Sequence, residues 1–448
     1  MVTQSLQLLS LLIFLGTYIM IMSNKIHRTI AGIVGAALTA LFVFPAEESL
    51  KLTFGYVSWE TLGLLFGMFT LVLALTESGF FRWLGLWTLE KTHYNSRYIF
   101  LAFPALAAIL SMYLDSITVM LFMASLTMEV AATLKFNPTA MLIAEIAAAN
   151  IGGSATMAGD PPNIIIGTYF GYSFMTFLEN TGVIALLVLP AVLGFFYLTS
   201  GRKLPVKTKE EELSQNKMFD RRLVEKDPWV FKADRKDVIK DPWLFKVSLA
   251  DLGLAVVLLT LHSYLQISIA VVGILVALVL LVLGGNPASK TPQFLEKMDW
   301  STIVFFGTLF VVVGGMEYTG VIEMLAHGIT SIGGGNHVIL VSLILWLSAG
   351  ASAIIDNVPF AATMTPLIKV VSETAQVTQN PLTWSLALGA DMGGIATPIG
   401  ASANVVGLSV AEKHRHRISW SQYCKLAIPA TILAVGLSHL LLILRYLL

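Results

Sequence analysis

The sequence predicts an all-α polytopic membrane protein made of two inverted five-span repeats, each with a re-entrant hairpin and a broken helix. Of the 448 residues, 56% are hydrophobic and 12% are charged, about half the charged fraction of a typical soluble domain. The mean hydropathy is +0.77. Two glycine-rich breaks interrupt this apolar sequence and recur at an offset of 241 residues, as from Asn150 to Asp391. A duplicated membrane protein accounts for all three observations.

The first break covers Asn150–Asn163 and reads NIGGSATMAGDPPN. Its glycines favour non-helical backbone, and Pro161 and Pro162 remove two consecutive hydrogen-bond donors. At membrane depth, open backbone is tolerated only where protein or a water-filled cavity covers its polar groups. The alternative is a kinked structural helix, which does not account for the polar residues that accompany the break.

The second break, Asp391–Asn404, aligns with the first without a gap. Residues 111–118 and 352–359 keep the same offset and place Asp115 opposite Asp356. Interrupted hydrophobic segments at corresponding positions of two halves are the best sequence indication of the binding site in a secondary transporter. Six pairs in the two breaks are identical: Gly152/Gly393, Gly153/Gly394, Ala155/Ala396, Thr156/Thr397, Gly159/Gly400 and Asn163/Asn404.

The first repeat is assigned to residues 1–200. The two apolar arms around Asp115 are each shorter than the roughly 20 residues of a full span, so they are predicted to form a re-entrant hairpin. In chain order, the elements are spans at 5–22, 29–44 and 59–76, a hairpin at 98–134, a broken helix at 138–178 and a span at 181–200.

The second repeat, residues 247–448, follows the same plan with a hairpin around Asp356. A charged linker, residues 201–246, separates the two repeats. In chain order, the elements of the second repeat are spans near 247–264, 268–284 and 300–316, a hairpin at 338–377, a broken helix at 381–412 and a last span at 422–446.

The distribution of basic residues predicts the orientation. The turn at 24–28, the linker and the run Lys413–Arg417 are rich in Lys and Arg, which places them in the cytoplasm. The N- and C-termini are then outside. The first hairpin opens from the cytoplasm and the second from outside, so the two repeats are expected to be inverted.

Both hairpin tips and both breaks are expected to meet near the bilayer midplane, at the interface between the repeats. There, helix ends, carbonyl groups and small polar side chains replace the hydration shell of an ion. The candidate residues of the first repeat are Asp115, Ser116, Thr118, Asn150, Gly152, Gly153, Ser154, Thr156, Asp160 and Asn163. Those of the second are Asp356, Asn357, Asp391, Gly393, Gly394, Thr397, Gly400, Ser402 and Asn404.

This candidate set contains four aspartates and no Lys or Arg, and the basic residue nearest in sequence is Lys369. Carboxylates without a cationic partner repel anions and are suited to exchanging protons. The sequence therefore predicts H⁺ or Na⁺ as the coupling ion and a cation or a neutral hydroxylated species as substrate. Glu145, beside the first break, is a further candidate for proton relay, with a structural carboxylate as the alternative.

Other functional classes lack their signatures in this sequence. Formal net charge is zero, and the sequence contains no nucleic-acid-binding motif. We therefore expect no nucleic-acid partner. There is one cysteine, Cys424, so a thiolate metal site is excluded, and the histidines have no metal-ligand spacing. No Walker A motif or nucleophile–base pair is present. We therefore expect neither an enzyme nor a cofactor.

The motifs at the tips and breaks resemble the ion transporter superfamily, and within it the ArsB, NhaD and P-protein branch. The resemblance rests on Leu114-Asp115-Ser116, the Gly152–Asn163 run, Asp356-Asn-Val-Pro-Phe360 and Gly400-Ala-Ser-Ala-Asn-Val-Val406. Anion symporters of the superfamily carry Ser-Asn-Thr at both tips. Here the tips read Asp-Ser-Ile and Asp-Asn-Val, which disfavours transport of dicarboxylates or other anions.

The resemblance implies a proton-coupled exporter of arsenite or antimonite in the bacterial inner membrane, surrounded by lipid. An Na⁺/H⁺ antiporter is the alternative, because the same carboxylates serve both functions. The resemblance also implies a homodimer in which a transport domain moves against a scaffold. An ATPase partner is conceivable by the same resemblance, since some arsenite exporters couple to one.

Overall fold

The computed structural model describes residues 4–23, 25–204, 238–285, 292 and 294–448. All regular secondary structure in these residues is helical, and seven of the helices are long and apolar enough to cross a membrane. The predicted all-α class is confirmed. Most of the predicted linker, residues 205–237, lies outside the described residues.

The first half contains ten helices within the described ranges. They are α1 (Gln4–Met22), α2 (Arg28–Phe42), α3 (Ser49–Tyr56), α4 (Trp59–Ser78), α5 (Phe80–Lys91), α6 (Ser96–Ser111), α7 (Ser116–Leu134), α8 (Thr139–Gly153), α9 (Pro161–Phe170) and α10 (Phe174–Lys203). α10 includes a π-helical turn at Leu178–Gly182. The short helices α3 and α5 were not predicted.

The second half repeats this order. Its helices are α11 (Pro242–Leu261), α12 (Ile269–Leu283), α13 (Trp300–Tyr318), α14 (Val321–Gly333), α15 (His337–Ser352), α16 (Asn357–Ala375), α17 (Gln379–Gly393), α18 (Ser402–Lys413) and α19 (Trp420–Tyr446). α11 begins before the predicted boundary at 247, because Asp241 caps it and Pro242 occupies its first position.

Both predicted hairpins are present, and the same type of side-chain cap starts each of their arms. α6 and α7 form the first hairpin, and α15 and α16 form the second. The side chains of Asn95 and Asn336 accept hydrogen bonds from backbone N–H groups at the start of the first arms. Asp115 and Asp356 cap the second arms in the same way. Because side-chain caps are set by nearby residues, the sequence located these ends well.

The two helix breaks also lie where the sequence predicted them. α8 ends at Gly153 and α9 begins at Pro161; α17 continues into a short 3₁₀ turn and α18 begins at Ser402. The predicted extent of the first broken helix, 138–178, was too long. Gly171 adopts φ +68° and ends α9, and α10 has already begun at Phe174 because Ser173 caps it.

The packing of the long helices indicates that the two halves are inverted. Gly32 of α2 lies against Thr308 of α13, and further along both helices Thr39 lies against Gly315. The two helices are therefore parallel. In the predicted order of spans, α2 and α4 cross the membrane in opposite directions, so α13 runs opposite to α4, its equivalent in the first half. α4 and α12 form the matching parallel pair.

Candidate functional site

Four helix N-termini line one cavity of about 310 Å³. They belong to α7, α9, α16 and α18, that is, to both hairpins and to both broken helices. The predicted convergence of these elements is therefore observed. Among the side chains that line the cavity are Asp115, Ser116, Thr118, Asp160, Asn357 and Ser402.

A hydrogen-bond network joins the two repeats at the floor of the cavity. Ser116 Oγ donates to Asp160 Oδ1 at 2.7 Å. Asn357 Nδ2 donates to Asp160 Oδ2 at 2.9 Å and to Asp391 Oδ1 at 3.3 Å. Asn163 Nδ2 donates to Asp391 Oδ2 at 2.9 Å. Each aspartate thus receives donors from both repeats.

The carboxyl groups of Asp160 and Asp391 also lie within hydrogen-bonding reach of each other. Both side chains are buried, with 4% of Asp160 and none of Asp391 exposed. An ionised carboxylate only accepts hydrogen bonds, so two carboxyl groups can bond to each other only when one is protonated. A proton held between the two carboxyl groups would relieve the repulsion between two buried negative charges.

The two half-sites differ in their chemistry. Asn150 occupies the position equivalent to Asp391, and Ala401 the position equivalent to Asp160. Asn150 Nδ2 donates to Asn404 Oδ1 at 3.1 Å, where the other half-site has the Asn163–Asp391 contact. Each repeat therefore contributes one member of the acidic pair.

The two hairpin-tip aspartates cap their own helices. Asp115 Oδ2 accepts from the Thr118 backbone N–H at 3.1 Å and from its hydroxyl at 3.3 Å. Asp115 Oδ1 is buried and has no hydrogen-bond partner among the described residues. Asp356 caps α16, and its Oδ2 accepts from Ser402 Oγ at 2.6 Å. The two tip aspartates therefore differ, because Asp356 also accepts a hydrogen bond from a side chain of the second broken helix.

Another group of the predicted residues holds the unwound backbone together. Thr156 and Thr397 donate to the carbonyl groups of Met112 and Ala353, in the two hairpin turns. The Asn163 and Asn404 amides donate to carbonyl groups inside the two breaks. Ser154 donates to Ile151 of its own helix. These contacts satisfy backbone carbonyl groups that the breaks and the hairpin turns leave without helical donors.

Glu145 is buried in α8 and accepts a hydrogen bond from Thr127 of α7. It is not among the residues that line the cavity. The glycines at the breaks allow close contact between helices: Gly152 lies against Ala108 of α6, and Gly393 lies against Ala349 of α15. Their role in this structure is packing.

The expectation of a site without basic residues was wrong. Arg28 and Lys297 both line the cavity. Arg28 Nη1 donates to Ser402 Oγ at 3.3 Å and Nη2 donates to Thr302 Oγ1 at 2.9 Å. Its guanidinium lies 5.3 Å from the centre of the Phe305 ring. Lys297 forms an ion pair with Glu77 at 3.0 Å, whereas Lys369 does not line the cavity.

Arg28 escaped the sequence analysis because it has no counterpart in the second repeat. The equivalent position is Ile269, so the repeat gives no indication of a cation there. Arg28 also lies in the basic turn that indicated the orientation, and this turn is far in sequence from the breaks. The one sequence feature that could have identified Arg28 is its position as a cationic residue at the start of a predicted span.

Asp299, just before α13, is a further residue that the sequence analysis missed. Burial would raise its pKa, but hydrogen bonds from Thr302 and Ser301 and the Arg28 guanidinium together hold the pKa below its usual value. The cavity lining thus contains two cations and three carboxyl groups, those of Asp115, Asp160 and Asp299.

A helical membrane protein whose repeated hairpins and broken helices enclose a polar cavity has the architecture of a membrane transporter. The CitMHS family, described as "Citrate transporter", matches residues 18–389. The chain therefore belongs to the CitMHS family. The predicted membership of the ion transporter superfamily is confirmed, and the assignment to the ArsB branch stays a prediction.

Relatives of similar length are found in mycobacteria. A 46 kDa membrane protein of Mycobacterium leprae is 32% identical over 99% of both chains. An uncharacterised transporter of Mycobacterium tuberculosis is 33% identical over 97% of both. The P protein of Mus musculus is 30% identical over 96% of this chain and 59% of its own length.

The fold is similar to that of the YdaH transporter of Alcanivorax borkumensis, whose structure was described as revealing "an unusual topology". The TM-score is 0.58, with 93% of this chain and 98% of that chain covered. At 12% sequence identity, the likeness concerns the fold alone.

Proposed function

We propose that the chain is a proton-coupled antiporter for a small, neutral, hydroxylated solute, with arsenous or antimonous acid as the expected substrate. The carboxyl pair of Asp160 and Asp391 carries this proposal, because it provides a buried site for one exchangeable proton. Asp160 also lines the cavity. A substrate hydroxyl and the shared proton compete for the same carboxylate oxygen, and such competition is what exchange requires.

The composition of the cavity supports a neutral substrate. Its lining contains charges of both signs, so a trianion such as citrate would meet three carboxyl groups, whereas a free metal cation would meet Arg28 and Lys297. A hydroxylated solute can both donate and accept hydrogen bonds. It can therefore donate to the Asp115 oxygen that lacks a partner and accept from the Arg28 guanidinium.

The shape of the cavity supports transport by alternating access. Asp115 and Asp160 at its floor are buried, whereas Lys297 and Asp299 at its rim are exposed. The rim lies on the face of the linker, because Lys240 N–H donates to the carbonyl of Ser78 at the end of α4. In the predicted orientation this face is cytoplasmic, so the cavity corresponds to an inward-facing state.

An Na⁺/H⁺ antiporter is the second candidate. Sodium prefers oxygen ligands, and the Asp115 carboxylate oxygen without a partner is such a ligand at the floor of the cavity. The same acidic pair would then exchange its proton for Na⁺.

Flux measurements on the purified full-length chain in liposomes separate the two candidates. With an imposed pH gradient and a luminal pH dye, we expect arsenite to accumulate against its gradient while protons move in the opposite direction. Sodium alone should leave the pH gradient intact. Dissipation of the gradient by sodium without arsenite would support the Na⁺/H⁺ antiporter instead, and dissipation by citrate alone would contradict both.

Arg28→Gln is expected to raise the KM for the substrate about tenfold or more, because it removes a charged hydrogen-bond donor from the cavity. Lys25→Gln removes a charge from the same basic turn but not from the cavity lining, and it should leave KM unchanged. The measurement is the concentration dependence of initial flux for both variants. An equal KM in Arg28→Gln and in the unmodified protein would exclude Arg28 from substrate binding.

A further inference from the structure

A second cavity, of about 250 Å³, lies between α5, α7 and α18. Phe81 of α5 stacks on Phe122 of α7 with ring centres 4.3 Å apart, which gives the cavity an apolar wall. Arg82, Lys413 and His414 also line it, and all three side chains are exposed. We name this cavity the basic cleft.

The basic cleft is separate from the central cavity, although Leu121 and Phe122 line both. It lies on the face of the linker, because Gly79, which precedes α5, is in contact with the carbonyl of Val238. α5 follows a membrane span directly and is a short helix with exposed Trp87. Such a helix lies at the level of the lipid headgroups.

The positive charge of the basic cleft is not a requirement of the fold. At the equivalent positions of the other repeat, Arg82 is replaced by Glu323, Lys413 by Tyr172 and His414 by Ser173. The same helices therefore pack without these three basic residues on the opposite face of the molecule. In the predicted orientation, the basic cleft faces the cytoplasmic leaflet. Anionic lipids give this leaflet a negative surface potential.

We propose that the basic cleft binds the headgroup of an anionic phospholipid that carries free hydroxyl groups. The phosphate lies at Arg82 and Lys413, and an acyl chain lies against the Phe81–Phe122 pair. Glu129 and Ser125, which also line the cleft, accept hydrogen bonds from the headgroup hydroxyls. The apolar wall favours a lipid over free phosphate, which has no group to bury there.

This site goes beyond the proposed transport function, because it does not depend on the identity of the substrate. α5 belongs to the segment that follows α4, whereas α7 and α18 belong to the hairpin and the broken helix. A lipid in the basic cleft therefore contacts both groups of helices.

Native mass spectrometry of the full-length protein tests the site with phosphatidylglycerol as the probe. We expect retained phosphatidylglycerol and little retained phosphatidylcholine. Arg82→Gln/Lys413→Gln should weaken retention about fivefold for each basic residue removed. The matched control is Lys91→Gln/Lys425→Gln, which removes two exposed charges outside the cleft and should retain phosphatidylglycerol normally.

Equal retention by the cleft variant and the control would overturn the proposal. Loss of phosphatidylglycerol upon addition of millimolar inorganic phosphate would show that the site takes free phosphate and would overturn the lipid assignment. If the double variant does not fold, Lys413→Gln alone gives the same test, with an expected loss of about fivefold. Flux measured on the same variants keeps the two sites apart. Lost lipid retention with normal flux supports the lipid site alone, and normal retention overturns the lipid site whatever the flux is.

Discussion

Asp391→Asn is expected to abolish proton-coupled flux, with a loss of about 100-fold or more, as for the removal of an essential proton-transfer group. The amide cannot hold the exchangeable proton. It also offers only one acceptor oxygen, whereas Asn357 and Asn163 now donate to two different oxygens of Asp391. Initial flux and the accompanying change of luminal pH in liposomes measure the effect.

Asp251→Asn is the matched control for this prediction. Asp251 is also a buried carboxyl group, and neither of its oxygens has a hydrogen-bond partner in the part of the chain that the structure describes. It lies in α11 and does not line the central cavity. Its replacement should leave proton coupling intact. Normal proton movement in Asp391→Asn, together with normal folding, would contradict the proposed role of the pair.

The pseudo-symmetry of the site offers a second arm of the same experiment. Asn150 is equivalent to Asp391, so Asp391→Asn/Asn150→Asp moves the carboxyl group to the other half-site. There it would face Asn404 and not Asp160. If the shared proton requires the direct contact of two carboxyl groups, this double variant should stay uncoupled. Recovered coupling would show that any carboxyl group near the breaks is sufficient.

Gly152→Ala is expected to destabilise the protein by about 3 kcal/mol or more, at the upper end of the cost of overpacking. A Cβ at this position would lie 2.1 Å from the carbonyl oxygen and 2.6 Å from the Cα of Ala108. Both atoms are backbone, so no side chain can move aside and α6 must shift away from α8. Thermal unfolding in detergent measures the effect.

Gly194→Ala is the control, because a Cβ built there meets no described atom within 4 Å apart from its chain neighbours and the nearby backbone of its own helix. Since Ala favours helix over Gly, this variant should be as stable as the unmodified protein or more so. Gly393→Ala should behave like Gly152→Ala, because its Cβ would lie 2.3 Å from the Cα of Ala349. A Gly152→Ala protein with an unchanged unfolding temperature would refute the close contact.

Much of the architecture was accessible from local sequence. The breaks at Gly152–Asp160 and Gly393–Ala401 follow from glycine and proline, whose backbone preferences act within a few residues. Asp115 and Asp356 mark the hairpin tips because each caps the helix that starts beside it. The boundary after Phe170 was missed, since a single glycine in an apolar run is a weak signal compared with a proline pair.

The roles of the site residues were less accessible. The sequence placed Thr156 and Thr397 among the ligands, yet their hydroxyls are engaged by carbonyl groups of the hairpin turns. It placed all the aspartates together, but only Asp160 and Asp391 form a pair. Asp115 and Asp356 are engaged in capping. Which oxygen of a polar residue remains available depends on the partners that the other helices bring to it.

By itself, the sequence determined the long helices, the breaks, the duplication and the presence of buried carboxyl groups, because propensity, capping and hydrophobic patterning act over short distances and recur at a constant offset. Only the tertiary structure decided that Asp160 meets Asp391 and that Arg28 reaches Ser402. Each of these contacts joins residues more than 200 positions apart, and they form because the two repeats bring helix ends from both halves of the chain together. No local pattern encodes that proximity, so the charge of the site could be judged only after the chain was folded.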